Sequence, residues 1–234
     1  TMRRRTIMKK LLYKEFKLCL HPAVFLFMAS VLLLFIPNYM FELPCFFICN
    51  AIYFMFQQCT LNNDLLFTVT LPVGKREAVK ARFAFIVIIQ LVFLLLCIPM
   101  MFVHNAVYGS QNAAGLDVCP ALIASYFIVY SIFNIIYMPT FYKNGYKAGK
   151  SFVLSLIGIF AWIFISNGVF ITAAASRDVS AFFAWIENNI DCLPTTQAAA
   201  SIQAAAIIVC AVIYVVLTIV SCRISERNLE KKNI

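Results

Sequence analysis

The sequence predicts an all-α integral membrane protein that crosses the bilayer six times and keeps both termini in the cytoplasm. Three observations predict this fold: the composition, six apolar runs, and the placement of the basic residues. Apolar residues make up 63% of the 234-residue chain and charged residues only 12%, which excludes an ordinary soluble domain.

The six apolar runs are close to the length that a membrane helix needs, about 20 residues for a hydrocarbon core of about 30 Å. They cover residues 23–40, 43–58, 83–103, 119–142, 151–175 and 202–222. The second run is the shortest, at about 16 residues, and the others come near or above the required length.

The basic residues fix the predicted orientation. Of the 19 Lys and Arg residues, all except Arg177 precede the first run or follow the second, fourth or sixth. Retention of Lys and Arg in the cytoplasm produces this alternation in a chain that spans an even number of times. The net charge of +9 is then explained by topology and by contact with the lipid bilayer, so we expect no nucleic-acid partner.

We divide the chain into three parts. Residues 1–21 are predicted to form a cytoplasmic amphipathic helix, because Leu12 and Phe16 share a face opposite Lys14 at about 100° per residue. The alternative is a basic stretch that only sets topology. Residues 22–222 form the transmembrane domain, and residues 223–234 form a charged cytoplasmic tail.

Two connections within the transmembrane domain stand out. The cytoplasmic connection 60–82 is the longest on its side and contains an apolar amphipathic piece followed by a Pro-Gly breaker. The outer connection 176–201 contains an aromatic segment that predicts a second interfacial helix, with a polar external loop as the alternative.

Ionisable residues are missing from the middle of every run. A carrier driven by protons or sodium usually needs such a group to bind its coupling ion, so the sequence argues against a secondary transporter. The polar residues inside the runs are neutral. We take Asn50, Gln57, Asn134 and Asn167 as candidates for lining a translocation path, and hydrogen bonding between helices is the alternative.

No catalytic or metal-binding motif is present. The chain lacks H-E-x-x-H and G-x-S-x-G, and the phosphate loop suggested by Gly74 fails because Val69 and Arg76 stand at required positions. The nine cysteines lie mostly in apolar runs as small hydrophobes, without partners at metal-ligand spacing. Cys119 and Cys192 both map to the outer side and could form a disulfide. We expect no enzymatic activity, cofactor or metal in this chain.

Three stretches resemble the small permease subunits of type-2 ATP-binding-cassette exporters. They are MKKLLYKEFK at residues 8–17, the segment 62–83 with LPVGKRE at its centre, and FYKNGYK at residues 141–147. The subfamily includes the permeases of the phenol-soluble modulin peptide exporter, and the resemblance covers the chain from Met8 onward.

The resemblance implies a half-transporter that forms a homodimer or a heterodimer and binds separate ATPase subunits, which hold ATP and Mg. The connection between the second and third spans then forms a coupling helix docked in the ATPase, and residues 142–147 make a smaller contact. The coupling residues implied are Asn63, Asp64, Leu66, Phe67, Thr68, Leu71, Pro72, Lys75, Arg76, Glu77, Tyr142 and Lys147. For Lys75 and Arg76 the alternative is topology alone.

We therefore expect a multi-pass subunit of a bacterial plasma membrane that exports amphipathic or hydrophobic cargo, with peptides as the cargo class. The 23 Phe residues suit such cargo better than ions or sugars. Two alternatives remain open: a sensor or immunity subunit that holds an ATPase complex without transporting cargo, and a secondary carrier or channel that works without ATP.

Overall fold

A computed structural model describes residues 2–20, 22–62, 74–109, 112, 114–144, 147–176 and 180–231. Within these residues every regular element is a helix, which confirms the all-α prediction. The helices are α1 (Met2–Lys14), α2 (Ala23–Met28), α3 (Leu43–Leu61), α4 (Lys75–Tyr108), α5 (Pro120–Lys143), α6 (Ala148–Ser176), α7 (Ala181–Asn189) and α8 (Gln197–Glu230). A π-helical turn, Glu15–Cys19, follows α1, and a 3-10 helix, Ala29–Phe35, follows α2.

Four of the described helices are long and apolar enough to cross a membrane: α4, α5, α6 and α8. They correspond to the third to sixth predicted runs and confirm a multi-pass helical membrane protein. The helix α3 has 19 residues, but it is not among the four because Asn50, Gln57 and Gln58 lower its mean hydropathy. The number of six spans stays a prediction.

The first predicted run differs most from a simple spanning helix. It forms a short α-helix and a 3-10 helix, Ala23–Phe35 together. With a rise of about 1.5 Å per α-helical residue and about 2.0 Å per 3-10 residue, this stretch is about 23 Å long. The chain then turns at Ile36, Pro37 and Asn38, and Asn38 has a positive φ of 54°.

The centre of the bundle is α5. It packs most extensively against α8 and α6. In its most apolar stretch of 18 residues, 67% is buried inside the protein, whereas the corresponding share in α8 is 17%. Aromatic rings fill the core beside it, as where Phe133 stacks on Tyr137 with a centroid separation of 4.8 Å. Pro120 begins the helix at a position that needs no amide hydrogen bond.

The two predicted interfacial segments are both helical. In α1, Leu11 is buried whereas Tyr13 is 67% exposed. In α7, Ile186 is buried and Phe182 and Trp185 are exposed. A location at the membrane surface stays a prediction for both.

Candidate functional site

The two ends of the bundle differ in charge. At one end lie α1, the start of α4 and the ends of α5 and α8; we call this the basic end. At the other end lie the starts of α3 and α5 and the connections on either side of α7; we call this the acidic end. Polar side chains are concentrated at both ends and in one cluster between them.

At the basic end, the first two turns of α4 are joined to the last turns of α8. Arg76 donates to Glu230 through two nitrogens, with Nε–Oε1 at 2.5 Å and Nη2–Oε2 at 3.1 Å. One turn further along α4, Lys80 Nζ lies 3.6 Å from Glu226 Oε1. The bidentate geometry orients the two helices, while exposure to solvent makes the attraction sensitive to salt.

A buried ion pair joins α4 to α1. Arg82 Nε lies 3.2 Å from Glu15 Oε2 and Nη2 lies 3.4 Å from Oε1, and both side chains are at most 4% exposed. The guanidinium also lies 5.5 Å from the centroid of the Phe56 ring and 4.0 Å from Cys19 Sγ. The wider π-helical turn places both Glu15 and Cys19 inward.

Sequence reasoning missed this pair. Arg82 was counted only as a topological charge, and Glu15 was not singled out. The signal available was that Glu15 is the one acid among the basic residues that precede the first run, and that Arg82 directly adjoins an apolar run.

Some of the predicted coupling residues lie in the described part of the chain and others lie outside it. Asn63, Asp64, Leu66, Phe67, Thr68, Leu71 and Pro72 lie outside the described residues. Lys75, Arg76 and Glu77 come together on the first turn of α4, where they help line a cavity of about 460 Å³ between α1, α4 and α8. Tyr142 is buried near the end of α5, and Lys147 is exposed before α6.

Between the two ends, amide and hydroxyl groups join α4, α5 and α8. The amides of Gln90 and Asn134 exchange two hydrogen bonds of 3.0 and 3.1 Å. Asn134 also donates to Thr218 Oγ1 at 3.2 Å, and Tyr214 donates to Gln90 Oε1 at 2.7 Å. In this structure Asn134 is fully buried, and its side chain forms hydrogen bonds with two neighbouring helices. Its role in lining a translocation path stays a prediction.

The other predicted path residues lie in two places. On α3, Gln57 is exposed and Asn50 is half-buried. They share a face with Phe54 and Gln58, since positions 50, 54, 57 and 58 recur at helical spacing. Asn167 lies instead at the acidic end, in a cluster around a carboxyl group.

That carboxyl belongs to Glu42, which directly precedes α3 and is completely buried. Ser125 Oγ on α5 donates to Oε1, and Asn167 Nδ2 on α6 donates to Oε2 at 2.5 Å. Trp162 Nε1 donates to Ser125 Oγ at 3.0 Å. Burial raises the pKa of Glu42, although hydrogen bonds from Ser125, Ser166 and Asn167 act against that rise.

Sequence reasoning did not find Glu42 as a site residue, because the position falls in the short connection between the first two apolar runs. Hydropathy gives no sign that two distant helices enclose this turn. Nearby, Cys119 and Cys192 are both free thiols and bond separately to the carbonyls of Ile190 and Asn188. No group of three or more His, Cys, Asp or Glu among the described residues could hold a metal ion.

Comparison with known families gives one match. A family model described as ABC-2 family transporter protein matches residues 10–230, which is nearly the whole chain. The corresponding comparisons with curated proteins and with solved structures give no match.

Proposed function

Because the chain belongs to the ABC-2 family of transporter proteins, we propose that it is the membrane subunit of an ATP-driven exporter for amphipathic or hydrophobic peptides. Family membership makes it a transmembrane subunit of an ABC transporter, and such subunits in general work with an ABC ATPase. Six spans, cytoplasmic termini, outward transport and peptide cargo belong to the proposal, as do ATP and Mg on the partner.

The observation that carries the proposal is the way in which α4 is held at the basic end. This helix begins at Lys75, immediately after the segment predicted to dock in the ATPase. Its first turns are joined to α8 by Arg76 and Lys80 and to α1 by Arg82. A displacement of the docked segment would therefore move α4 together with both neighbouring helices.

The hydrogen bonds in the middle of the bundle extend this connection. Gln90, Asn134, Tyr214 and Thr218 join α4, α5 and α8 halfway along their length. Because packed helices joined at two levels move together rather than bend, closure of the ATPase pair would rock this group of three helices as one body.

The cargo path is proposed to lie along the open face of α3. Gln57, Gln58 and Phe54 are exposed there, and amide side chains facing lipid hydrocarbon would lack hydrogen-bond partners. A second permease subunit, either another copy of this chain or a sister chain, would cover the face. An amide and aromatic lining between two subunits suits a peptide with both polar and apolar groups.

The test of the proposed docking segment uses the triple variant Asp64→Ala, Leu66→Ala, Phe67→Ala. We expect it to lose the co-purifying nucleotide-binding subunit or to lose peptide uptake into inverted vesicles while ATP hydrolysis continues. The matched control is Lys150→Ala, an exposed basic residue on the same side that is not among the predicted coupling residues, and it should retain the partner. Normal co-purification and coupled uptake in the triple variant would contradict the proposed docking segment.

The same assay separates the alternatives. Stimulation of ATP hydrolysis by candidate peptides without uptake would identify a sensor or immunity subunit. Uptake that proceeds without any ATPase subunit would identify a secondary carrier or channel.

A further inference from the structure

The carboxyl group of Glu42 is enclosed at the acidic end, and no described residue provides it with a positive partner. Its exposed fraction is zero, and the groups that bond to it are the neutral side chains of Ser125, Ser166 and Asn167. None of the described groups that act on Glu42 carries a positive charge. Neither ATP-driven rocking nor the α3 path uses this carboxyl.

A short segment of the chain closes over the cluster. Residues 114–119, which we call the capping segment, approach the cluster through Gly115, which lies against Asn167. A Cβ atom placed on Gly115 would be only 1.7 Å from Asn167 Oδ1, and Gly115 has a φ of 139°. Asn167 Oδ1 is buried without a hydrogen-bond partner. This close approach leaves no room for water between Gly115 and Asn167.

Contacts with two other parts of the chain hold the capping segment in place. The backbone amide of Asp117 donates to Asp191 Oδ1 at 2.7 Å. Asn105 Nδ2, near the end of α4, donates to Val118 O at 2.7 Å. The thiol of Cys119 donates to Ile190 O at 3.3 Å. The capping segment therefore joins the end of α4 to the connection between α7 and α8.

The environment of Glu42 suits a neutral carboxyl group. An ionised carboxylate in a buried site without a cation is costly, and such groups usually bind a proton instead. Ser125 Oγ already accepts from Trp162, and it has a second lone pair that can accept from a protonated Glu42 after its own hydrogen rotates away. The cluster can thus hold the carboxyl in either charge state.

Several other titratable groups face the same region. Cys45 on α3 and Tyr126 on α5 interact electrostatically with Glu42, and α6 contributes only neutral groups to the cluster. His104 on α4 bonds through Nδ1 to Leu34 O and lies against the ring of Phe41. From the cap and the connection after α7 come Asp117 and Asp191. Among the residues that the structure describes, none of these groups forms an ion pair with Glu42.

We propose that Glu42 is a proton-binding site: its carboxyl is protonated when the capping segment covers it and ionises when the cap opens and water enters. Each opening of the acidic end then releases one proton to water, and each closure takes one up. The site is complete within one chain and does not depend on the proposed transport function.

The sign of the pH dependence follows from this linkage. The capped state binds the proton more tightly than the open state, so it is favoured at low pH and loses stability as pH rises through the value at which capped Glu42 ionises. Two further carboxyl groups at or next to the capping segment also favour the capped state at low pH. Burial raises the pKa of Asp117 to about 6 and that of Asp191 to about 7.

Infrared difference spectroscopy tests the proton site directly. The full chain is purified in dodecyl maltoside, which contributes no carbonyl band, and the protonated-carboxyl band is followed as pH is raised. We expect the Glu42→Gln variant to lose one such band that the wild type shows at neutral pH. The control Glu187→Gln, which removes a half-exposed carboxyl of α7, should keep it. An unchanged band in Glu42→Gln overturns the proposal.

Two further measurements keep the test decisive. The Ser125→Ala variant removes a hydrogen-bond donor to the ionised form of Glu42. The titration midpoint of the same band should therefore rise by about one pH unit, and an unchanged midpoint contradicts the assignment.

Hydrogen exchange of the amides in residues 114–119 tests the opening of the capping segment. In alkaline buffer, Glu42→Gln should protect these amides more than the wild type does, and equal protection shows that the cap is not linked to Glu42.

These readouts need no ATPase partner and no cargo. Negative results in these measurements would contradict the proton-binding site without affecting the proposed exporter function. Negative results in the transport assays would contradict the exporter function without affecting the proton-binding site.

Discussion

At the scale of single residues, the acidic end depends on one glycine. Gly115 has a φ of 139°, and its α-carbon lies against the side-chain oxygen of Asn167. A side chain at this position would meet both a steric clash and a backbone conformation that L-residues rarely adopt. The residue therefore determines whether the capping segment can reach the Glu42 cluster.

The Gly115→Ala variant tests this dependence. We expect it to lower the stability of the detergent-solubilised chain by roughly 2 to 4 kcal/mol, since overpacking and the unfavourable φ both contribute. The matched control is Gly168→Ala in α6, where nothing lies within 4 Å of an added Cβ and alanine favours the helix. Equal thermal unfolding midpoints for the two variants would contradict the close approach at Gly115.

At the scale of elements, α4 has a different kind of contact with each neighbour at the basic end. The exposed pair of Arg76 and Glu230 and the partly exposed pair of Lys80 and Glu226 join it to α8, whereas a buried pair, Glu15 with Arg82, joins it to α1. Exposed pairs contribute little to stability, but they orient helices. A buried pair is costly to break from one side, because the remaining charge has no compensation.

The two kinds of contact predict different responses to mutation. Glu15→Gln leaves Arg82 charged in the interior and should cost about 3 to 5 kcal/mol in the free energy of unfolding. The matched control, Glu230→Gln, removes the carboxylate from the exposed Arg76 pair and should leave the unfolding midpoint nearly unchanged. Replacing Glu15 and Arg82 together by leucine should recover most of the lost stability. Equal losses in the two single variants would show that the Glu15 pair is not buried.

At the scale of the whole molecule, the described ion pairs lie at the basic end and the carboxyls of Glu42, Asp117 and Asp191 lie at the acidic end. Neutral hydrogen bonds join the helices between them. Three long helices, α4, α5 and α8, share that central cluster. This arrangement suits the proposed function, in which the ATPase moves the helices at the basic end and solvent access changes at the acidic end.

The proposed orientation has a direct test. With Arg177→Cys and Lys147→Cys introduced singly, a thiol reagent that cannot cross membranes should label position 177 from outside intact cells and position 147 only after the membrane is opened. Labelling of the wild type, with its native cysteines, is the control. The reverse pattern would overturn the orientation of the basic end toward the cytoplasm.

Hydropathy and charge placement predicted the helical class and the four long helices, because both depend on composition along a single stretch of chain. They could not predict that Ala23–Phe35 changes to 3-10 geometry, since apolar runs do not specify the hydrogen-bond period. The pairs Glu15–Arg82 and Glu42–Asn167 join residues far apart in sequence. Only the packing of several helices brings such residues together.

The candidate site was predicted in part. Residue spacing identified Asn134 and Asn167 as polar groups within apolar helices, but their partners depend on tertiary packing, and Asn134 proves to be fully hydrogen-bonded within the core. Lys75, Arg76 and Glu77 do lie together on one exposed turn. The docking role of residues 63–71 stays a prediction, because the segment lies outside the described residues.

The central claim is that this chain performs no work without an ATPase bound at its basic end. The most direct measurement is peptide uptake into liposomes that contain either the chain alone or the chain with its co-purified ATPase subunit, with ATP supplied on the side of that subunit. The account predicts uptake only in the second case, and its loss when hydrolysis is blocked. Equal uptake by the chain alone would contradict the account.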